Sequence, residues 1–461
     1  MGAVNAEGRF ARVAARSLSS AASRSVSPSA GISWRSIFPV AELALDSVGF
    51  VSAQLDRAGD ERDVEPSADA TLDPATVAAS FGSERLFRIN GAAPQIWAPL
   101  SGFFRAEDGW VRTHANYPHH AAALRALLDL DADAGAEEVR QATARWGRFA
   151  LEEAAVGAGA VVAAVREQAE WAQHPQAEAL ENTPLIGHRV SGAAAARPWS
   201  SGALLPLDGV RVLDLTRVIA GPIATRDLAS AGAEVLRIDD PHRPEADWQH
   251  LDTGQNKRTA RLDLTVAADR DVFDRLLATA DVLVTGYRPT ALDRFGLSPA
   301  ALAESHPGLV IGSVSAWGSR GPWSRRRGFD SIVQATIGIA LAEQGAQGTQ
   351  APGALPVQAL DHASGHLLAA AIVHALVAQR TDGGSHEVSV ALARTGMELA
   401  RHHDGSVIAD VGGPLPTTTL QLNDGATLTC APPPLAFSGA PTGWGFVHRW
   451  GTDAAAWSAN G

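Results

Sequence analysis

The chain of 461 residues contains one cysteine, Cys430, and one lysine, Lys257, with arginine at its other fixed cationic positions. A lone cysteine excludes an internal disulfide, and no cysteine and histidine cluster has the spacing of a zinc site, so no metal is expected. The scarcity of cysteine suits a reducing cytoplasm. A net charge of -12 argues against a nucleic-acid partner, because phosphate binding needs a basic face. Arg, Asp or Pro interrupts even the Ala-rich stretches, which excludes a membrane partner. Dinucleotide, phosphate-loop and zinc-protease motifs, G-x-G-x-x-G, G-x-x-x-x-G-K-[ST] and H-E-x-x-H, are missing from the chain.

What is present is a large apolar fraction, 46%, enough for two or three cores. Residues 1–74 read as an N-terminal tail, basic and Ser-rich up to about residue 36, followed by a helical segment over Ala41–Leu55. Residues 75–195 read as a smaller α/β domain, with a strand at Gly109–Thr113 and helices over Pro118–Leu130, Ala136–Ala144 and Ala160–Ala172. A linker covers Ser191–Pro206. Between 205 and 400 the pattern alternates. Short apolar strands at Val210–Leu215, Ala233–Ile238, Val282–Thr285, Leu309–Val314 and Glu387–Ala391 are separated by helices at Ala220–Ala231, Asp271–Ala280, Pro299–Glu304 and Asp361–Gln379. Such alternation predicts an α/β fold built on a Rossmann-like, doubly wound parallel sheet. Residues 401–461 read as an irregular C-terminal extension.

Three segments carry candidate chemistry. Thr216 and Arg217 stand where a strand hands over to a helix, and Gly221-Pro222 suits that helix start, an arrangement able to bind an anion. Asn256-Lys257-Arg258 places the single lysine on a loop. Asp361 opens the long helix, where on its own it reads as an N-cap.

Taken in order, these segments resemble the class III CoA-transferase family, of the formyl-CoA and carnitine CoA-transferase type. The family's V-L-D-x-[ST]-x-x-x-A-G-P start matches Val212 to Pro222, and its N-K-R motif matches Asn256-Lys257-Arg258. Tyr287-Arg288-Pro289, Leu292 to Leu297 and Ser313 to Pro322 follow collinearly, with Ala316 in place of a glycine. Asp361 with Gly365 matches D-x-x-[AGST]-G. Trp97 to Val111 and Glu167 to Gln176 resemble the family's later half, which here comes first.

The resemblance implies an acyl-CoA:carboxylate CoA-transferase with Asp361 as the residue transiently acylated through anhydride and thioester intermediates. It implies coenzyme A contacts at Arg217, Val218, Ala220, Lys257, Arg258, Tyr287 and Arg294, with backbone amides near Gly365 or Gly221 holding an oxyanion. Acyl-CoA and a small carboxylic acid are then the substrates, no prosthetic group is needed, and the chain forms a homodimer. Two alternatives stay open: an acyl-CoA racemase or isomerase on the same scaffold, and an inactive coenzyme A-binding paralogue. The racemase histidine is replaced by Phe329 in Gly328-Phe329-Asp330, leaving His362 and His366 as substitutes.

Overall fold

The computed structural model describes residues 8–19, 32, 34–64, 71–347, 350–403 and 413–458. Much of the N-terminal tail lies outside the described residues.

Residues Arg88–Ile89 (β1) are followed by a three-stranded antiparallel meander, Phe103–Ala106 (β2), Gly109–Thr113 (β3) and Val162–Ala164 (β4). Next comes Ile186–Ser191 (β5), and then the alternating half: Arg211–Leu215 (β6), Glu234–Asp239 (β7), Arg258–Arg261 (β8), Val282–Thr285 (β9), Val310–Ser315 (β10) and Ser385–Ala391 (β11). Thr418–Gln421 (β12) and Thr427–Cys430 (β13) close the series.

The large sheet has seven strands in the order β5-β11-β10-β9-β6-β7-β8. All pair in parallel except β5, which lies antiparallel on the β11 edge. Counted along the chain, the six parallel strands read 3-2-1-4-5-6, the doubly wound order, which reverses between β6 and β9. Loops leaving the carboxyl ends of those two strands diverge to opposite faces and open a crevice there.

Helix Ala359–Asp382 is the axis of the largest core. Its 24 residues are apolar enough to cross a membrane by length and composition, but 94% of that window is buried inside the protein. A helix apolar all round needs cover on every side. Helix Ala220–Ser230 crosses it at Gly365, where an added Cβ would lie 2.5 Å from the Ala220 carbonyl oxygen. Helix Val40–Asp60 covers another side, with Leu43, Phe50 and Leu55 fully buried.

Three expectations need correction. The described residues among 1–74 do not stand apart: Phe10, Phe38 and Leu43 share one core with Leu367, Leu368 and Ile372. Ala160–Ala172 is not a single helix, because Val162 pairs with Thr113 as the third strand of the meander and only Gln168–Ala172 is helical. The segment beyond residue 400 is not wholly irregular, since β12 and β13 form a hairpin that pairs with β1 around Phe87, Leu428 and Cys430. The meander between residues 100 and 165 does have its own core, around Val111, Leu124, Val139 and Leu151.

Candidate active site

Asp361 is the third residue of its helix, and the capping is done by another residue. The Asp330 carboxylate accepts hydrogen bonds from the Leu360 amide at 2.8 Å and the Asp361 amide at 2.9 Å. Two first-turn donors are thereby satisfied from outside the helix. Freed from capping, the Asp361 carboxyl has no hydrogen-bond partner among the described residues, although only 6% of the residue is exposed. Burial and the neighbouring Asp330 carboxylate push it well above the ordinary aspartate value. The same burial pushes Asp330 up to about 6.

The turn after β6 is built on a buried carboxylate. Asp214 accepts from the Thr216 amide and hydroxyl through one oxygen and from Thr225 Oγ1 through the other. Lys257 Nζ reaches that second oxygen at 3.2 Å and also donates to Pro222 O and Thr225 Oγ1. Burial brings the lysine down to about 8. Val218, at the apex, has φ = 73°, a left-handed conformation that β-branched residues avoid. Its amide is held by Glu245 Oε2 at 3.1 Å, and Glu245 also pairs with Arg237 and Arg217. These contacts maintain the strained turn.

A cleft of about 250 Å³ opens at the carboxyl ends of β6, β9, β10 and β11 and includes Asp361. From the turn come Arg217, Val218, Ala220 and Gly221, and from the loop after β9 come Gly286, Tyr287 and Arg288. The first domain contributes Tyr117, His119 and His120, so both tyrosines of the chain meet here. Arg243, Arg326 and Arg327 complete the cationic side of the cleft. The Arg327 guanidinium has no hydrogen bond or ion pair among the described residues, and burial with Arg288 and Arg243 nearby lowers its pKa.

Of the residues expected to contact coenzyme A, the cleft unites Arg217, Val218, Ala220 and Tyr287 with Asp361. The other three lie elsewhere. Lys257 is 2% exposed and saturated by Asp214, Thr225 and Pro222, so it braces the turn instead of offering a charge to solvent. Arg258 donates to the carbonyl oxygens of Ala454 and Ala456 in the C-terminal segment. Arg294 folds over the Phe295 ring and does not line the cleft. Gly365 is a packing glycine inside the helix, so its amide is no oxyanion donor; Gly221 does line the cleft. His362 and His366 stack on Phe81, and His366 Nδ1 lies 2.6 Å from Asp227, which takes both out of the site.

Sequence reasoning missed Tyr117, His119, His120, Arg243 and Arg327. No motif marks these five: Tyr117, His119 and His120 come from the first domain and Arg243 and Arg327 from loops of the second half, and all reach the site only through folding. Arg288 stood inside a quoted segment, beside Tyr287.

Residues 207–413 match the model of CoA-transferase family III. This segment carries Asp361 and the β6 turn; the first domain lies outside it. The segment is similar to the probable fatty acyl-CoA transferase Rv3272 of Mycobacterium tuberculosis, 34% identical over 42% of this chain and 52% of that protein. It is similar to the succinyl-CoA–L-malate CoA-transferase alpha subunit of Chloroflexus aurantiacus, 31% identical over 40% of this chain and 45% of that one. The succinyl-CoA:glutarate CoA-transferase of Homo sapiens is 32% identical over 35% of this chain and 40% of its own length. The chain thus spans about half the length of these relatives.

Proposed function

We propose that the protein is an acyl-CoA:carboxylate CoA-transferase in which Asp361 carries the acyl group and then coenzyme A. The observation that carries this reading is the Asp361 carboxyl, relieved of capping by Asp330 and left unpartnered at the floor of the cleft. A structural aspartate so deeply buried would ordinarily be satisfied by its surroundings. The match of residues 207–413 to CoA-transferase family III supports the same chemistry.

An oxygen of ionised Asp361 bonds to the thioester carbonyl carbon, the C–S bond breaks, and coenzyme A leaves as thiolate with the bonding pair. The product is a mixed anhydride. The thiolate sulfur then attacks the Asp361 carbonyl carbon, the anhydride C–O bond breaks, and the first carboxylate departs. An aspartyl-CoA thioester remains, which the second carboxylate resolves by the same steps in reverse. Water is no reactant, and the burial of Asp361 favours its exclusion. The elevated pKa makes the ionised carboxylate a stronger nucleophile while reducing its population at low pH.

Phosphates of coenzyme A are assigned to the arginine side of the cleft, Arg217, Arg288 and Arg327, in place of Lys257, Arg258 and Arg294. A homodimer is proposed as well, with light scattering as its check: a monomer mass at micromolar concentration would end that part. The main test is intact-protein mass spectrometry after incubation with acyl-CoAs and hydroxylamine. An aspartyl hydroxamate at residue 361, lost in Asp361→Ala, is the expected result. No adduct from any donor, in a protein that still binds coenzyme A, would leave the inactive paralogue as the better reading.

A further inference from the structure

Asp361 borders a second space, and that space differs from the cleft in chemistry. Behind the carboxyl, on the side of the first domain, lies a recess of about 30 Å³. Asp361, Val218 and Phe329 line both spaces and form the partition. Glu84, Asp330, His114 and Ser331 also line the recess, with Trp97 and Trp248 as flat walls. No arginine or lysine does.

Three buried polar atoms around it lack a hydrogen-bond partner: Glu84 Oε2, His114 Nδ1 and Ser331 Oγ. Glu84 is 7% exposed, His114 6% and Ser331 7%. Buried polar groups are nearly always satisfied, so three unsatisfied ones around one recess call for a ligand or water that completes them. His114 is fixed face to face on Phe329, centroids 3.6 Å apart, and burial lowers its pKa well below the usual histidine value. Glu84, also pushed up by burial, to about 7, can donate a hydrogen bond in its protonated form.

We propose, resting on the transferase reading, that this recess receives the acyl group of the substrate and selects a short, uncharged acyl group bearing a hydroxyl or carbonyl. When the thioester carbonyl sits at Asp361 with coenzyme A in the cleft, the remainder of the acyl group has the recess before it. Its volume matches two or three non-hydrogen atoms, on the scale of a few waters. A second carboxylate on the acyl group would meet Glu84 and Asp330 with no arginine or lysine lining the recess to offset it, since Arg112 lies against the Trp97 wall and does not line the recess. The open trough of about 710 Å³ beside the cleft shares Tyr287, Arg288 and Ser315 with it but does not reach Asp361, so it does not serve the reacting carbonyl.

The test is the rate of hydroxylamine-trapped labelling of Asp361 with acetyl-, glycolyl-, succinyl- and octanoyl-CoA. Glycolyl-CoA is expected to exceed succinyl- and octanoyl-CoA by at least about tenfold in rate over half-saturation concentration. Glu84→Ala and Ser331→Ala should each reduce the glycolyl-to-acetyl ratio, a ratio that cancels any loss of folded protein. Trp97→Ala should raise the octanoyl rate relative to acetyl. Succinyl- or octanoyl-CoA labelling as fast as glycolyl-CoA, or a glycolyl-to-acetyl ratio indifferent to Glu84, overturns the recess while leaving the transferase reading intact. Labelling by no donor at all overturns both.

Discussion

Two groups of cations flank the candidate nucleophile, and they are held in opposite ways. Under the β6 turn, Lys257 and Arg237 are buried and committed to Asp214, Asp239 and Glu245. At the cleft, Arg288 and Arg327 stand close enough to repel each other, and Arg327 has no internal partner among the described residues. A buried cation is tolerated when internal anions compensate it, whereas guanidiniums left to repel one another gain from an anion arriving from outside. The first group is architecture, and the second is the better candidate for phosphate recognition. Charge and position in the sequence do not separate them.

The largest effect should come from breaking the first group. Lys257→Met leaves Asp214 buried without its cation, and a loss of about 3–5 kcal/mol in folding stability is expected. A lowered urea midpoint would register it. Unchanged stability with a raised KM for acyl-CoA would instead return Lys257 to the phosphate site.

Breaking the second group should separate the readouts in the other direction. Arg327→Ala removes a guanidinium with no internal partner, so the fold should lose little. The KM for acyl-CoA should rise about tenfold, equivalent to roughly 1.4 kcal/mol. The difference from wild type should shrink as salt is added. Arg258→Ala serves as the contrast, because its partners lie in the C-terminal segment: a comparable KM increase there would undo the reassignment.

The two groups also show what the sequence could convey. Strand and helix alternation after residue 205 was legible, because buried parallel strands read as short apolar runs; β9 was expected at Val282–Thr285 and occurs there. Asp361 was legible through its family motif, but its freedom from capping was not. That freedom depends on Asp330, 31 residues earlier, whose hydrogen bonds exist only after folding. Lys257 misled for a similar reason: a motif gives a residue's place along the chain, whereas its partners Asp214 and Thr225 are brought to it by a strand and a helix. β8 went unrecognised because Arg258–Arg261 has no apolar run, although Thr259 and Ala260 are buried in the sheet.

The smallest effect concerns the two carboxyls themselves and sharpens the contrast between committed and uncommitted charge. Asp330 is committed to the amides of Leu360 and Asp361, and its negative charge, after burial, is the second cause of the elevated Asp361 pKa. In the proposed mechanism the reactive form of Asp361 is the ionised one, so labelling should rise with pH through that elevated pKa and level off above it. In Asp330→Asn the side-chain carbonyl oxygen can still accept hydrogen bonds from the helix amides, but the repelling charge is gone. The Asp361 pKa should fall, and the rising limb should move to lower pH. Below the limb the variant should therefore outpace wild type, and well above it the two should converge. A limb that stays in place would mean that burial alone sets the Asp361 pKa; a limb that moves upward would mean that the acid being titrated is not Asp361.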